Sequence, residues 1–383
     1  MLTNLNQLRV AVVHDWLNGF RGGEQVLDAV LEVFPQAELF TLFYTPGTLN
    51  SRIENRPIHT SFLNSIPGAQ RFYRFLLPLF PMAIEKIDVQ EFDLVISTSH
   101  CVAKGIIPRP NALHICYSFT PMRYAWDRYS DYFAKSFLQP FIYPFLHYLR
   151  TWDVSSSARV DYFLTLSRWV KQRIKKYYRR EAFVIYPFVN LEHFRPAAGE
   201  KGNYYLIVSA FAPYKRVDLA IQACQRLGRR LVIIGGGQDE AKLKSLAGPT
   251  TEFLGKAPLK VLTEMYAGAK ALIFPGQEDF GITPLEAMAS GTPVIAFNQG
   301  GVTETVIAGE TGIFFNDQTV DGLVSAILEF ESLKMNSKEQ CLKRAALFSR
   351  EQFIIQLRRF TEQAWTHHLE NATSPTENHT HPS

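Results

Sequence analysis

Short apolar runs alternate with longer amphipathic stretches along the whole chain. Runs rich in β-branched and aromatic residues at 9–14, 39–44, 94–97, 113–117, 162–166 and 183–186 read as buried strands. A second series follows at 204–208, 231–234, 252–254, 271–274, 294–297 and 312–315. The stretches between them are long enough for crossover helices. Such alternation predicts the α/β class, with parallel sheets covered on both faces. Residues 195–203 are polar, lack periodicity and read as a linker. The pattern therefore predicts two lobes, 1–195 and 196–349. A helical stretch over 350–370 has no strand to lead into, and the polar tail 371–383 reads as disordered. Two facing lobes of this kind leave a cleft at the carboxyl ends of their strands, where open α/β sheets bind ligands.

Length agrees with that division, because 383 residues exceed one ordinary domain. A net charge of +4 is mild and gives no reason to expect nucleic acid. The four cysteines, Cys101, Cys116, Cys224 and Cys341, lie far apart with no C-x-x-C pair, which argues against zinc and a disulfide scaffold. A reducing cytoplasm fits. Residues 1–8 lack the apolar core of a signal peptide, and no window holds the apolar run of a spanning helix.

The most informative chemistry lies between Glu278 and Glu286. The apolar run 271–274 ends at Pro275-Gly276, and Thr283-Pro284 reads as an N-cap followed by the first helical position. This puts Glu278 in the loop at a strand's carboxyl end and Glu286 in the first turns of a helix. Backbone N–H groups at Gly281, Ile282 and Thr283 lie between them, and a free helix N-terminus favours a phosphate. Two carboxylates beside an anion site are repulsive unless each accepts hydrogen bonds from hydroxyls on either side of a diphosphate. A nucleotide-sugar has that layout, with ribose on one side and sugar on the other.

This segment resembles the E-x7-E motif of the retaining glycosyltransferases of family 4, which have the two-lobed GT-B fold. Gly291-Thr292-Pro293-Val294-Ile295-Ala296 and Gly300-Gly301-Val302-Thr303-Glu304 are similar to the family's next strand and glycine-rich turn. The resemblance covers residues 8–345. It implies an acceptor-binding first lobe, a nucleotide-sugar-binding second lobe, and a final helix that crosses back onto the first. It also implies a hexosyltransferase, with Glu278 on hydroxyls of the transferred sugar and Glu286 on the ribose.

Other segments add to this reading. Val13-His14-Asp15-Trp16 and Gly22-Gly23-Glu24 follow the first strand, and the glycine pair at a helix start either approaches a ligand or makes an ordinary turn. It is not G-x-G-x-x-G, so a dinucleotide fingerprint is absent. Lys215 and Arg216 follow the first strand of the second lobe, where a lysine binds phosphate as a point charge and an arginine adds a bidentate fork. The family's usual arginine five residues earlier is replaced by Ala210. Phe253-Leu254-Gly255-Lys256 resembles the place where the base is held, without telling guanine from uracil. Thr120-Pro121-Met122-Arg123-Tyr124-Ala125-Trp126-Asp127 resembles a segment of bacterial O-antigen and exopolysaccharide mannosyltransferases, so GDP-mannose is the favoured donor. Arg123, Tyr124, Trp126 and Asp127 then line a sugar pocket, or else pack aromatics into the core. Relatives often carry a histidine where this chain has Phe119; if that histidine contacts the donor sugar, His14 or His100 is the candidate to take its place. The aromatic, basic stretches 62–87 and 132–152, and the basic run 168–180, suit either packed helices or contact with a membrane surface and its lipid-linked acceptors.

The implied reaction places negative charge on a leaving diphosphate, met by Lys215, Arg216 and the N–H groups at 281–283. No D-x-D pair occurs, so neither a divalent metal nor any other cofactor is expected. The competing readings are a glycosidase using the two glutamates, a nucleotide-sugar-binding protein that has lost turnover, and a GT-B epimerase. Cytoplasmic location at the inner face of the plasma membrane is the corresponding expectation.

Overall fold

The computed structural model describes residues 5–127, 139–196, 201–333 and 337–373. The first lobe is a seven-stranded sheet of β1 (Val10–His14), β2 (Glu38–Thr41), β3 (Ile58–Thr60), β4 (Leu94–Ser99), β5 (Leu113–Ser118), β6 (Tyr162–Thr165) and β7 (Ala182–Val184). Its order is β3-β2-β1-β4-β5-β6-β7, with every pair parallel. The second lobe is a six-stranded sheet of β8 (Tyr205–Ala210), β9 (Leu231–Gly236), β10 (Thr251–Gly255), β11 (Ala271–Phe274), β12 (Val294–Phe297) and β13 (Gly312–Phe315). Its order, β10-β9-β8-β11-β12-β13, is again wholly parallel. Buried apolar side chains fill both faces, which explains the near-continuous Val/Ile/Leu runs. β3 was absent from the sequence reading.

Each sheet reverses its strand order once, between β1 and β4 and between β8 and β11. At such a switch point neighbouring connections leave on opposite faces and open a crevice at the strands' carboxyl ends. Every residue singled out around His14, His100, Lys215 and Glu278 follows one of these four strands.

The helix Arg350–Thr373 packs on the first lobe. Arg350 Nη2 donates to Asp28 Oδ2 at 2.6 Å and Glu32 Oε2 at 2.8 Å. The Phe353 ring lies 5.8 Å from Tyr117, and His368 Nε2 is 3.0 Å from the Asn111 carbonyl. The helix extends to Thr373, three residues past the 370 boundary, while the rest of the expected tail lies outside the described residues.

Candidate functional site

On the second lobe, β11 ends in a loop that leads into the helix Ile282–Ala289. The helix is capped by Gly281 at φ +86°, not by Thr283, and no side chain caps it. Thr283 and Pro284 are the second and third helical residues, so the proline still occupies a position that needs no donor. Two close approaches place the loop. A Cβ on Gly276 would lie 2.8 Å from Lys215 Cα, so only glycine lets the loop press against the turn Pro213–Lys215. On the other side Gly301 N–H donates to the Glu278 carbonyl at 2.9 Å.

The consequence is an ion pair between Lys215 Nζ and Glu278 Oε1, with the side chains 14% and 21% exposed. The lysine is therefore fixed beside Glu278 rather than waving in solvent. Arg216 does not join them. It adopts φ +50°, and its guanidinium is held by Asp218 Oδ1 at 3.2 Å and Gln318 Oε1 at 3.4 Å. The expectation that Arg216 adds a phosphate fork is not met by this geometry, because the αL turn aims it along its own lobe.

Glu286 Oε2 accepts a hydrogen bond from the Tyr266 hydroxyl at 2.7 Å. Burial pushes the Glu286 carboxyl up to about 7, with the Tyr266 bond acting in the opposite sense. Sequence reasoning missed Tyr266, which lies 20 residues upstream and is wholly buried. Gly255 ends β10 at φ +66° with open space where a side chain would be.

On the first lobe, the helix Gly22–Val33 starts opposite the helix Ile282–Ala289. A Cβ on Gly22 would lie 3.0 Å from Ile282 Cδ1, so two helix N-termini meet across the cleft. Their dipoles both favour an anion. A Cβ on Gly23 would lie 3.8 Å from both His14 Cε1 and Phe119 Cζ. His14 is buried, with Nδ1 2.7 Å from Thr98 Oγ1, while Nε2 is 3.9 Å from Glu24 Oε1 and has no hydrogen-bond partner. Burial works against the Glu24 charge, but His14 and the Arg21 N–H at 2.9 Å hold its carboxyl below the usual range. Phe119 sits 6.5 Å from the His14 ring and 6.3 Å from the His100 ring, so both histidines flank it.

Asp15 is not available to a sugar. Its carboxylate accepts the N–H groups of His100, Cys101, Val102 and Ala103 at 2.6–2.9 Å, and His100 Nδ1 lies 3.0 Å away. It clamps the loop after β4. Burial lowers the His100 pKa, against the pull of Asp15.

The Arg123–Asp127 segment is likewise structural in most of its side chains. Arg123 Nε and Nη2 donate to Asp279 Oδ2 at 3.0 and 2.5 Å. Arg173 Nη1 donates to Asp279 Oδ1 at 3.0 Å and also pairs with Asp127. Burial disfavours the Asp279 charge, but the two guanidiniums hold its carboxyl below the ordinary range. Tyr124 bonds Cys101, and Trp126 donates to Asp153 Oδ2 at 2.7 Å while stacking on Tyr177. The sugar-pocket reading therefore fails for Tyr124 and Trp126, whose polar atoms face the core. Arg123 and Asp127 belong to a seam between the lobes. The seam continues where Ser167 Oγ donates to the Asp279 carbonyl at 2.6 Å, and where Glu304 accepts the Arg168 and Trp169 N–H groups at 2.8 and 3.0 Å. Asp279 went unread although it adjoins Glu278. Beside the seam a cavity of about 430 Å³ opens between the lobes, lined by Arg123, Asp127, Trp169, Tyr177, Gln277 and Glu278.

Comparison with known proteins agrees with the architecture. The model of the family "Glycosyl transferases group 1" matches residues 188–348. The O-antigen chain mannosyltransferase RfbU of Salmonella typhimurium is 32% identical over 53% of this chain and 58% of its own length. The GDP-mannose-dependent alpha-mannosyltransferase of Mycolicibacterium smegmatis is 35% identical over 37% of each chain. The chain thus spans about three-fifths or less of these curated relatives. Among solved structures, sucrose-phosphate synthase from Thermosynechococcus elongatus superposes with a TM-score of 0.71 at 18% identity, over 94% of this chain and 100% of that one. The Anabaena protein HepE, solved in complex with UDP, gives 0.68 at 14% identity, over 93% and 100%. Two facing parallel-sheet lobes and their switch points give this chain the GT-B fold of those structures, and residues 188–348, which hold its second sheet, match the glycosyl transferases group 1 model.

Proposed function

We propose that this protein is a retaining family 4 hexosyltransferase that moves mannose from GDP-mannose to a hydroxyl of a lipid-linked or polysaccharide glycan, at the cytoplasmic face of a membrane. The observation that carries the reading is the Lys215–Glu278 pair, set at a switch point where the helix starts at Ile282 and Gly22 meet. Breaking a glycosyl–phosphate bond leaves charge on the diphosphate. Lys215 and the two helix N-termini supply fixed positive potential for it, without a divalent metal. Such preorganised groups are the largest catalytic term in many enzymes, and removing one costs about a hundred- to a thousandfold in rate. Glu278, held by Lys215, takes sugar hydroxyls, and Glu286 takes the ribose. Donor choice draws support from the printed activities of the mannosyltransferase relatives.

A thermal-shift screen of GDP-, UDP- and ADP-sugars tests the donor, since a ligand at a hundred times its Kd stabilises by about 2.7 kcal/mol. GDP-mannose is expected to give the largest shift. Lys215→Ala and Glu278→Gln are each expected to lower transfer by two to three orders of magnitude, with native circular dichroism and turnover of the parent protein insensitive to chelator. Full activity in both variants would remove the site assignment. Nucleotide binding with no product from any acceptor would favour the binding-protein reading, and sugar conversion without acceptor the epimerase.

A further inference from the structure

The first lobe carries an apolar ledge that the cleft does not use. Residues 62–84 contain two arginines, Arg71 and Arg74, and no acid. The turn Tyr73–Leu79, with sequence YRFLLPL, buries none of its residues. Phe75 is 84% exposed, and Phe62, Phe72, Leu79 and Met82 are 37–44% exposed. A lone exposed apolar side chain needs no explanation, but five on consecutive short helices form a patch that does. Cations stand among the rings: Arg74 lies 5.8 Å from the Tyr73 ring and Lys86 Nζ 5.5 Å from the Phe62 ring. The first acid after this stretch, Glu85, is occupied by Trp152 Nε1 at 2.9 Å and Arg159 at 2.6 Å. That bond joins the ledge to the helix Gln139–Ser156, where Tyr143 and Tyr148 are also exposed.

The ledge borders the cleft. Tyr73 lies 5.4 Å from Trp16, and Trp16 packs edge-on to His100 at 4.4 Å. Trp152 and Phe145, by contrast, serve the core, and residues 132–138 of the second aromatic stretch lie outside the described residues. The basic helix Arg168–Tyr178 is a weaker membrane candidate, because Arg173 is spent on the seam and Lys175 pairs with Glu181 at 2.7 Å.

We propose that this ledge seats the protein on an anionic lipid bilayer, with Phe72, Phe75 and Met82 at the headgroup–acyl boundary and Arg71, Arg74 and Lys86 at the lipid phosphates. Side chains that protrude singly from a turn, rimmed by cations and with no acid over residues 62–84, suit a soft anionic interface. No described helix is long and apolar enough to cross a membrane, so the contact is interfacial. On the donor reading above, a lipid-linked acceptor would enter past Trp16. The docking itself does not rest on that reading, because it is measured without nucleotide.

The test is co-sedimentation of the full chain with vesicles of phosphatidylcholine, alone or mixed with phosphatidylglycerol. Enrichment on the anionic vesicles, reversed by salt, is expected. Each cation near such a surface contributes about fivefold in partitioning, so Arg71→Ala combined with Arg74→Ala should weaken binding by about tenfold or more. Phe75→Asp should do the same. All these side chains are exposed, so melting temperature and the thermal shift given by nucleotide-sugars should not change. Equal partitioning onto neutral and anionic vesicles, or variants that bind as the parent does, would overturn the proposal. So would absence of vesicle binding together with a dimer, seen by sedimentation velocity, that Phe75→Asp dissociates, since the ledge would then be a self-association face.

Discussion

Replacing Glu286 by glutamine separates the stability of the second lobe from its chemistry. The carboxyl stands at about 7 in the fold against an ordinary 4.5, because burial penalises the charged form more than the Tyr266 hydroxyl supports it. Its folded value is raised, so the folded state holds a proton that the unfolded state has released between those two pH values. Stability is therefore full below pH 4.5 and falls as pH rises towards 7. Each pH unit across that window is worth about 1.4 kcal/mol, so the ionised carboxylate costs the fold on the order of 3 kcal/mol at pH 8. Glutamine keeps the acceptor for Tyr266 and carries no charge. Glu286→Gln should thus match the parent near pH 4.5, and at pH 8 should melt on the order of 5 °C higher. On the proposed function it should bind nucleotide-sugar more weakly, because the charged acceptor for the ribose is lost. Scanning calorimetry from pH 4.5 to 8, with and without nucleoside diphosphate, reads both effects. A variant whose melting curve falls with pH as steeply as the parent's would show that Glu286 is ionised throughout, and the argument from burial would be wrong.

Asp279→Asn leaves Arg123 and Arg173 facing each other without their carboxylate, and a broken buried pair costs about 3–5 kcal/mol. Denaturant titration should show that loss, and small-angle scattering should show a larger radius as the lobes part. Gly276→Ala must displace the Lys215 turn, since its Cβ would sit 2.8 Å from Lys215 Cα. It should cost about 1–3 kcal/mol as a local overpacking and reduce transfer far more than that stability loss explains, which kcat/KM beside melting temperature will show. Asp15→Asn puts an amide among four N–H donors, leaving at least one unpaired at about 1–3 kcal/mol. Faster amide exchange at residues 100–103 is the expected sign.

The strands were legible because a parallel sheet covered on both faces demands unbroken apolar runs. β3 escaped because Ile58-His59-Thr60 is a three-residue, largely exposed edge strand with a single apolar residue to mark it. Several strands also run past their apolar stretch, as β4 does through Thr98-Ser99 and β8 through Ser209-Ala210. Hydrogen bonding continues there through small and polar residues, with Thr98 and Ser99 still buried and Thr98 Oγ1 on His14 Nδ1, so the apolar run ends before the sheet does. Glu278, Glu286 and the helix start could be read from local spacing. The Lys215–Glu278 pair and the Tyr266 bond could not, because each depends on segments brought together by the sheet. The segment Arg123–Asp127 could not be resolved between sugar pocket and packing for a related reason. A seam between lobes and a sugar pocket both call for aromatic and charged residues, and only the partners distinguish them.

Those partners give the cleft a mechanical logic. Glu278 and Asp279 are neighbours, yet Glu278 is held by Lys215 of its own lobe and Asp279 by Arg123 and Arg173 of the other. The same loop is backed by Gly300 and Gly301, one turn before Glu304, which caps the first-lobe helix at Arg168. Several contacts between the lobes therefore act directly on the segment that carries Glu278. Separating the lobes breaks the Asp279 pairs before it can disturb the Lys215–Glu278 pair, which lies wholly within the second lobe. The Lys215–Glu278 pair thus does not depend on contact between the lobes, while the position of Glu278 relative to Gly22 and His14 depends on the Asp279 pairs together with the Ser167 and Glu304 contacts.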